Sequence, residues 1–237
     1  MTGPQSNESS EVQPAPSDLP TSSLAYLFAD FVAPLVAPGK SGQRCWASGS
    51  VVESQILAVR LGMIAVLGLR EDGVIALEPY EGKKLMVKVH GVRAHLLRTP
   101  QTYHGVENRL LTQWFTGGSF SPTGEDVGQG FSWIPTSADP HGVVLAEAIN
   151  DVVAYGCLVR VPAERGVGGK LLGKPSTRLE PVPPRIEALR GRAEALRSWW
   201  TNLTQAEQPL CAAVEKTIVT NIGRRQRRDD DNSWDSD

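Results

Sequence analysis

The chain has 237 residues, 41% of them apolar, which is enough for one or two packed domains of ordinary size. Its formal net charge of −2 excludes a global field drawing it to nucleic acid or membrane, so any such attraction is local. The longest apolar run, 56–69, is interrupted by Arg60 and is too short to span a bilayer, and three widely spaced cysteines point to free thiols in a reducing compartment.

In chain order, residues 1–22 are polar, rich in Pro, Ser and Glu, and poor in apolar side chains, so they read as a disordered tail. They carry neither a basic n-region nor an apolar h-region, so no signal peptide is expected and the protein reads as cytoplasmic. A globular domain is expected over 23–223. A first helix is expected over 24–36. Ser50 and Glu53 have capping-box spacing and open a helix with Leu57, Leu61, Ile64, Ala65 and Gly68 on one face. Apolar residues fill much of its remaining circumference, which places it inside the fold. Gly73 supplies its stop, and strands are expected at 74–78 and 85–89 around the polar turn 80–84.

A short helix over 106–115 precedes the loop 116–139, which carries Phe120, Phe131 and Trp133 and is either pinned to the core or a binding loop. The order helix, glycine, strand, basic turn, strand then recurs. A helix over 143–155 has Leu145, Ile149, Val152 and Val153 on one face. Gly156 closes it and a second hairpin follows to 182. The two units, about 50–90 and 139–182, have the layout of a winged helix. A helical hairpin over 183–222 closes the domain, with Ile186, Leu189, Ala193, Leu196 and Trp200 at heptad-like spacing. A second charged tail is expected at 224–237, where Arg224, Arg225, Arg227 and Arg228 meet Asp229 to Asp231. The fold class predicted is mainly α, with two winged-helix-like units.

The second hairpin carries the clearest chemistry. Arg160, Arg165, Lys170, Lys174 and Arg178 stand against the single acid Glu164, and Gly166, Gly168 and Gly169 allow close backbone approach. Such loops form anion-binding nests, and the alternative is a solvated edge kept from aggregating by its charges. The first hairpin adds Lys83, Lys84 and Lys88, with Arg93 and Arg98 downstream. No catalytic signal accompanies them. There is no Gly-x-Ser-x-Gly elbow, and Gly166 to Lys170 lacks P-loop spacing. His90, His95, His104 and His141 have no metal-ligand spacing, and Cys157 reads as a buried, inert thiol. The expectation is a protein that is not an enzyme and takes no metal or cofactor.

The run Ile56 to Leu69, the segment Gly73-Val74-Ile75-Ala76-Leu77-Glu78 and the later Val152-Val153-Ala154-Tyr155-Gly156-Cys157-Leu158 resemble the Golgi phosphoprotein 3-like family over about 46–200. The resemblance implies a mainly helical, peripheral-membrane protein that recognises a phosphoinositide headgroup. It also implies a headgroup site with a Trp before the buried helix, an Arg inside it and two Arg on the later helix. Trp46 and Arg60 fill the first two roles. The later helix has no Arg, so the basic hairpin has to supply the missing charge.

The leading expectation is therefore a non-enzymatic adaptor on anionic membrane, with Trp46, Arg60, Arg165, Lys170, Lys174 and Arg178 as the lipid- or phosphate-binding residues. The alternative is a tandem winged-helix protein on nucleic-acid backbone. Against it stands the second helix, read as exposing Glu147 and Asp151. A third reading is a scaffold that holds a protein partner through loop 116–139.

Overall fold

A computed structural model of the chain describes residues 18–37, 39–84, 87–98, 103–115, 124–135, 139–162 and 177–232, with backbone alone at 82–84, 87–89 and 224–232. In order the elements are α1 (Thr21–Leu27), β1 (Gln43–Arg44), β2 (Val51–Val52), α2 (Ser54–Glu71), β3 (Ile75–Lys84), β4 (Val87–Leu96), α3 (Gly105–Phe115), β5 (Glu125–Asp126), α4 (Pro140–Ala154), β6 (Leu158–Pro162), β7 (Thr177–Pro181), α5 (Pro183–Ala188), α6 (Arg190–Ala206) and α7 (Gln208–Asn232). The strands form three small antiparallel sheets, ordered β1-β2, β3-β4-β5 and β6-β7.

Burial is centred on α2. Leu57, Leu61, Ile64, Ala65 and Leu67 are all sealed from solvent. A helix apolar on every side has to be covered on every side, and α1, α3, α4, α7 and β3 all lie against it. The mid-helix Gly62 has a packing reason. A Cβ there would sit 3.0 Å from the ring of Phe131, which ends a short 3-10 turn and is fully buried.

α2 and α4 end in the same hydrogen-bonded stop. Gly73 and Gly156 take φ of 65° and 66°, a left-handed conformation that only glycine adopts freely. The Gly73 N–H bonds the Arg70 carbonyl and the Val74 N–H reaches Leu69. Likewise Gly156 bonds Val153, and Cys157 bonds Val152. Each stop feeds an antiparallel ribbon, β3–β4 or β6–β7.

α1 is held from outside itself. Its N-cap position is Pro20, which offers no capping side chain. The amides there need an acceptor, and Glu107 of α3 provides it. Its two carboxylate oxygens accept from the Ser22 N–H at 2.8 Å and the Ser22 hydroxyl at 2.6 Å. Ser23 donates to Asp151 of α4 at 2.7 Å. Ser22 and Ser23 are completely buried and Glu107 nearly so. Gly105 completes this junction, because a Cβ there would lie 1.9 Å from an Asp151 oxygen.

The structure departs from the sequence expectations at several points. Helices take 59% and strands 18% of the described residues, with three antiparallel sheets among them, so the fold is mixed α/β and not mainly α. The missing strands were hidden in two ways. Ser50 caps nothing: Val51 and Val52 pair with Arg44 and Gln43, and α2 starts after Glu53. The first hairpin is also longer than expected. The segment assigned to its turn, 80–84, is strand, and Tyr80 pairs with Gly91. Exposed ribbon arms do not have to alternate apolar and polar residues, so their composition hid them. Pro79 tolerates its place there because β3 is an edge strand, where a lost N–H costs no ladder bond.

Boundaries shift for similar reasons. Leu19, Ser22 and Ser23 are buried, so residues 18–22 join the folded body. The helix expected over 24–36 ends at Leu27, ahead of a short 3-10 turn and Pro34. α4 starts at Pro140, capped by Asp139 accepting from the His141 N–H. α7 continues through Asn232, into the segment expected as a charged tail.

Glu107 gives the fold a pH signature. Burial pushes its carboxyl from 4.5 up to about 7, and the Ser22 bonds offset only part of that rise. Burial raises Asp151 as well. The folded chain then binds more protons than the unfolded chain between pH 4.5 and about 7. The stabilisation is complete below 4.5 and is lost as pH rises through about 7. A gap of that size corresponds to roughly 3 kcal/mol. Glu107→Gln keeps an acceptor for Ser22 and does not ionise. Denaturant unfolding across pH 4.5–7 is expected to show wild-type stability falling relative to the variant by that order. Parallel curves would contradict the assignment.

Candidate functional site

The singled-out cations whose side chains are described, Arg60, Arg93, Arg98, Arg160 and Arg178, are each engaged within the fold. Arg165, Lys170 and Lys174 lie outside the described residues. Arg178, on β7, pairs with Glu180 at 2.7 Å, and Arg160 donates to Asn150 at 3.0 Å. On the first ribbon, Arg93 lies 4.4 Å over the Tyr80 ring, and Tyr80 in turn donates to Asp126. Arg98 donates to the Asp72 carbonyl at 2.6 Å. The side chains of Lys83, Lys84 and Lys88 are not among those described. Two acids also change role. Glu147 accepts twice from Arg109, and Asp151 bonds Ser23, so neither is the exposed repulsive charge expected on α4.

Trp46 belongs to a small corner sheet ahead of α2. Its segment is stapled to the end of α1, where the Ala47 N–H and the Cys45 thiol both donate to the Leu27 carbonyl. The indole is half-buried and its N–H points inward, donating to the Tyr26 hydroxyl at 3.3 Å, while Gln43 reaches the same oxygen at 2.8 Å. Burial holds the Tyr26 phenol up at about 12, so it stays neutral. Arg44 sits 5.4 Å over the outer face of the Trp46 ring. Trp46 is thus a rigid base carrying a cation, and its polar edge does not face solvent.

This corner carries a feature that the sequence reading missed. Residue 35 makes a single antiparallel bridge to Val52, and the Val36 N–H bonds the Val51 carbonyl, so this segment covers the edge of β2 away from β1. Gly42 permits the close approach, since a Cβ there would lie 2.8 Å from Val51 and 3.3 Å from Val36. Leu35 is left 62% exposed and Val51 37% exposed, with Val51 directly across from the exposed Arg44. The available signal was Pro34 inside a stretch read as helix, together with the β-branched pair Val51-Val52 just after the glycine turn at Gly49.

Arg60 and Trp46 are not brought together. Arg60 faces α6 and α7. Its guanidinium is 5.8 Å over Trp200 and meets Glu215 at 3.4 Å, while its Nε is buried with no hydrogen-bond partner. It lines a groove of about 350 Å³ between α2 and α7, walled by Ile56, Val59, Val219 and Ile222. His141, at the start of α4, lines the same groove. Burial lowers its pKa below 6.5, so it is neutral at neutral pH.

The remaining candidates resolve into structural roles. His95 pairs with Glu78 at 2.9 Å, His90 with Glu81 at 3.3 Å, and His104 lies edge-on to Tyr155. Among the described residues no group of three His, Cys, Asp or Glu could hold a metal ion. No helix among them is long and apolar enough to cross a membrane. In the aromatic loop, residues 116–123 and 136–138 lie outside the described residues. Phe131 and Ile134 are fully buried and Trp133 packs against the core, so the described aromatics of the loop are pinned to the core.

All three cysteines are free and buried, and burial raises the thiols of Cys157 and Cys211. A buried, protonated thiol is a poor nucleophile. Ellman's reagent is therefore expected to leave the native protein uncoloured over minutes and to titrate three thiols per chain in denaturant. A native thiol reacting at the denatured rate would contradict this placement.

Compared with known proteins, the chain matches no family model, no curated protein and no solved structure. The functional reading rests on its own side chains.

Proposed function

We propose that the chain is a non-enzymatic, peripheral membrane-binding protein that docks on anionic phospholipid through the corner sheet ahead of α2. The observation that carries this reading is the exposed Val51 directly across from the exposed Arg44 on the β1–β2 ribbon, with Leu35 exposed across the other edge of β2. Large apolar side chains left in water next to cations fit a boundary with hydrocarbon on one side and phosphate on the other. The corner is also rigid, held by Trp46, Tyr26 and Leu27, so docking requires little ordering of the protein.

The magnitudes favour reversible attachment. Each cation near an anionic surface contributes about 1 kcal/mol. Burying the exposed parts of Leu35 and Val51 adds about 1–2 kcal/mol in all. A contact of that size is marginal alone and sensitive to salt. Lys170 and Lys174, with Arg165, are the cations that would supply a second contact, and phosphoinositide-rich surfaces would be favoured over singly charged lipid. Arg60, paired within the fold, is not part of this docking surface.

Co-sedimentation with vesicles tests the proposal. The expected result is binding to vesicles containing anionic lipid, lost in high salt and absent with neutral lipid. Leu35→Glu, and separately Lys40→Glu with Arg44→Glu, should each weaken it at least tenfold. Failure to bind anionic vesicles, or binding untouched by both variants, would overturn the reading. Salt-sensitive binding to duplex DNA in its place would favour nucleic-acid backbone as the ligand.

A further inference from the structure

We propose that the groove between α2 and α7 binds a small amphipathic carboxylate of the medium-chain fatty-acid class, with its headgroup on Arg60 and its tail along the apolar walls. This site is separate from the corner sheet and does not rest on the membrane reading. The groove has the volume of a small-ligand site, about 350 Å³; Arg60 and Glu215 meet at one part of it, and Ile56, Val59, Val219 and Ile222 supply its apolar walls. From Glu215 to Ile222 it follows α7 for about 10 Å, a span suited to a medium-length alkyl chain. Val219 stands 49% exposed on its wall, an apolar surface that an alkyl tail would cover.

Arg60 is an under-used cation. Its one ion-pair contact is a single 3.4 Å approach to Glu215, with both side chains about one-third exposed, and its Nε has no acceptor. Such a pair contributes little. A ligand carboxylate that meets the guanidinium with both oxygens makes a stronger contact and displaces Glu215. Trp200 beneath the guanidinium keeps it in place as the partners exchange. The charge balance favours a monoanion. Glu215 remains at the site and His141 adds no positive charge at neutral pH, so a doubly charged phosphate would meet one cation and a competing carboxylate.

Calorimetric titration of the full chain with octanoate below its micellar concentration, with octanol as the neutral control, tests this. Saturable one-site binding of octanoate is expected, with octanol at least tenfold weaker. Arg60→Met, which keeps the alkyl stem, should weaken octanoate binding at least tenfold. Glu215→Gln should tighten it several-fold by removing the internal competitor. Thermal melting of each variant reports whether it is folded, and Glu215→Gln alters an accessible position, so it retains the test if Arg60→Met does not fold. Absence of saturable binding, octanol binding as tightly as octanoate, or unchanged affinity in Glu215→Gln would each overturn the proposal.

Discussion

An 18-residue helix with Leu57, Leu61, Ile64 and Leu67 all shut from water imposes its requirements on everything around it. Four helices and a strand have to lie against α2, and each brings backbone ends that cannot stay dry and unpaired. The sharpest case is α1, whose first turn is pressed into the interior without a capping side chain of its own. Glu107 of α3 accepts from the Ser22 N–H and hydroxyl, and Asp151 of α4 accepts from the Ser23 hydroxyl. That solution ties α1, α3 and α4 into one junction and leaves a carboxyl that titrates at about 7 inside the protein.

Both candidate surfaces follow from how α2 is entered. The chain reaches it through Val51 and Val52, whose pairing with β1 and with residue 35 makes the corner sheet. The next turn of the helix supplies Gln55, Ile56, Val59 and Arg60, which line the groove against α7. One segment of about ten residues thus presents an apolar and basic edge outward and then a lined cleft. The far end of α2 is used differently, with Gly73 turning the chain into the β3–β4 ribbon, where Arg93 is held against Tyr80.

The buried helix was legible in the sequence because its apolar residues exceed what one face can hold. Gly73 and Gly156 were legible as stops because a left-handed residue is required there. The buried face of the closing helices was also legible, with Ile186, Leu189, Ala193, Leu196 and Trp200 all buried, but the break at Leu189 between α5 and α6 was not. What escaped were features decided by distant partners. Ser22 looks like a tail residue until Glu107 is placed on it, and nothing local signals the bond from Ser23 to Asp151. Leu35 reads as helical until Val52 bridges to it. Ser50 and Glu53 have capping-box spacing, yet strand pairing at Val51 and Val52 prevailed over that local preference. For the candidate site, the residue types were visible but their grouping was not. Trp46 and Arg60 lie near each other in sequence and belong to different surfaces.

The central functional claim is that the corner ahead of α2 meets a membrane directly, and two leucines test it in one experiment. Leu35 and Leu97 are each 62% exposed. Leu35 bridges to the strand that enters α2, while Leu97 bonds the Val74 carbonyl just beyond its exit. A helix of that length separates them by about 27 Å. A nitroxide placed at Leu35→Cys or at Leu97→Cys reports its accessibility to a water-soluble paramagnetic relaxant. On addition of anionic vesicles, the account predicts that the label at 35 becomes protected and gains contact with dissolved oxygen, while the label at 97 stays fully accessible. Equal accessibility at the two positions with vesicles present, or protection at 97 alone, would contradict it.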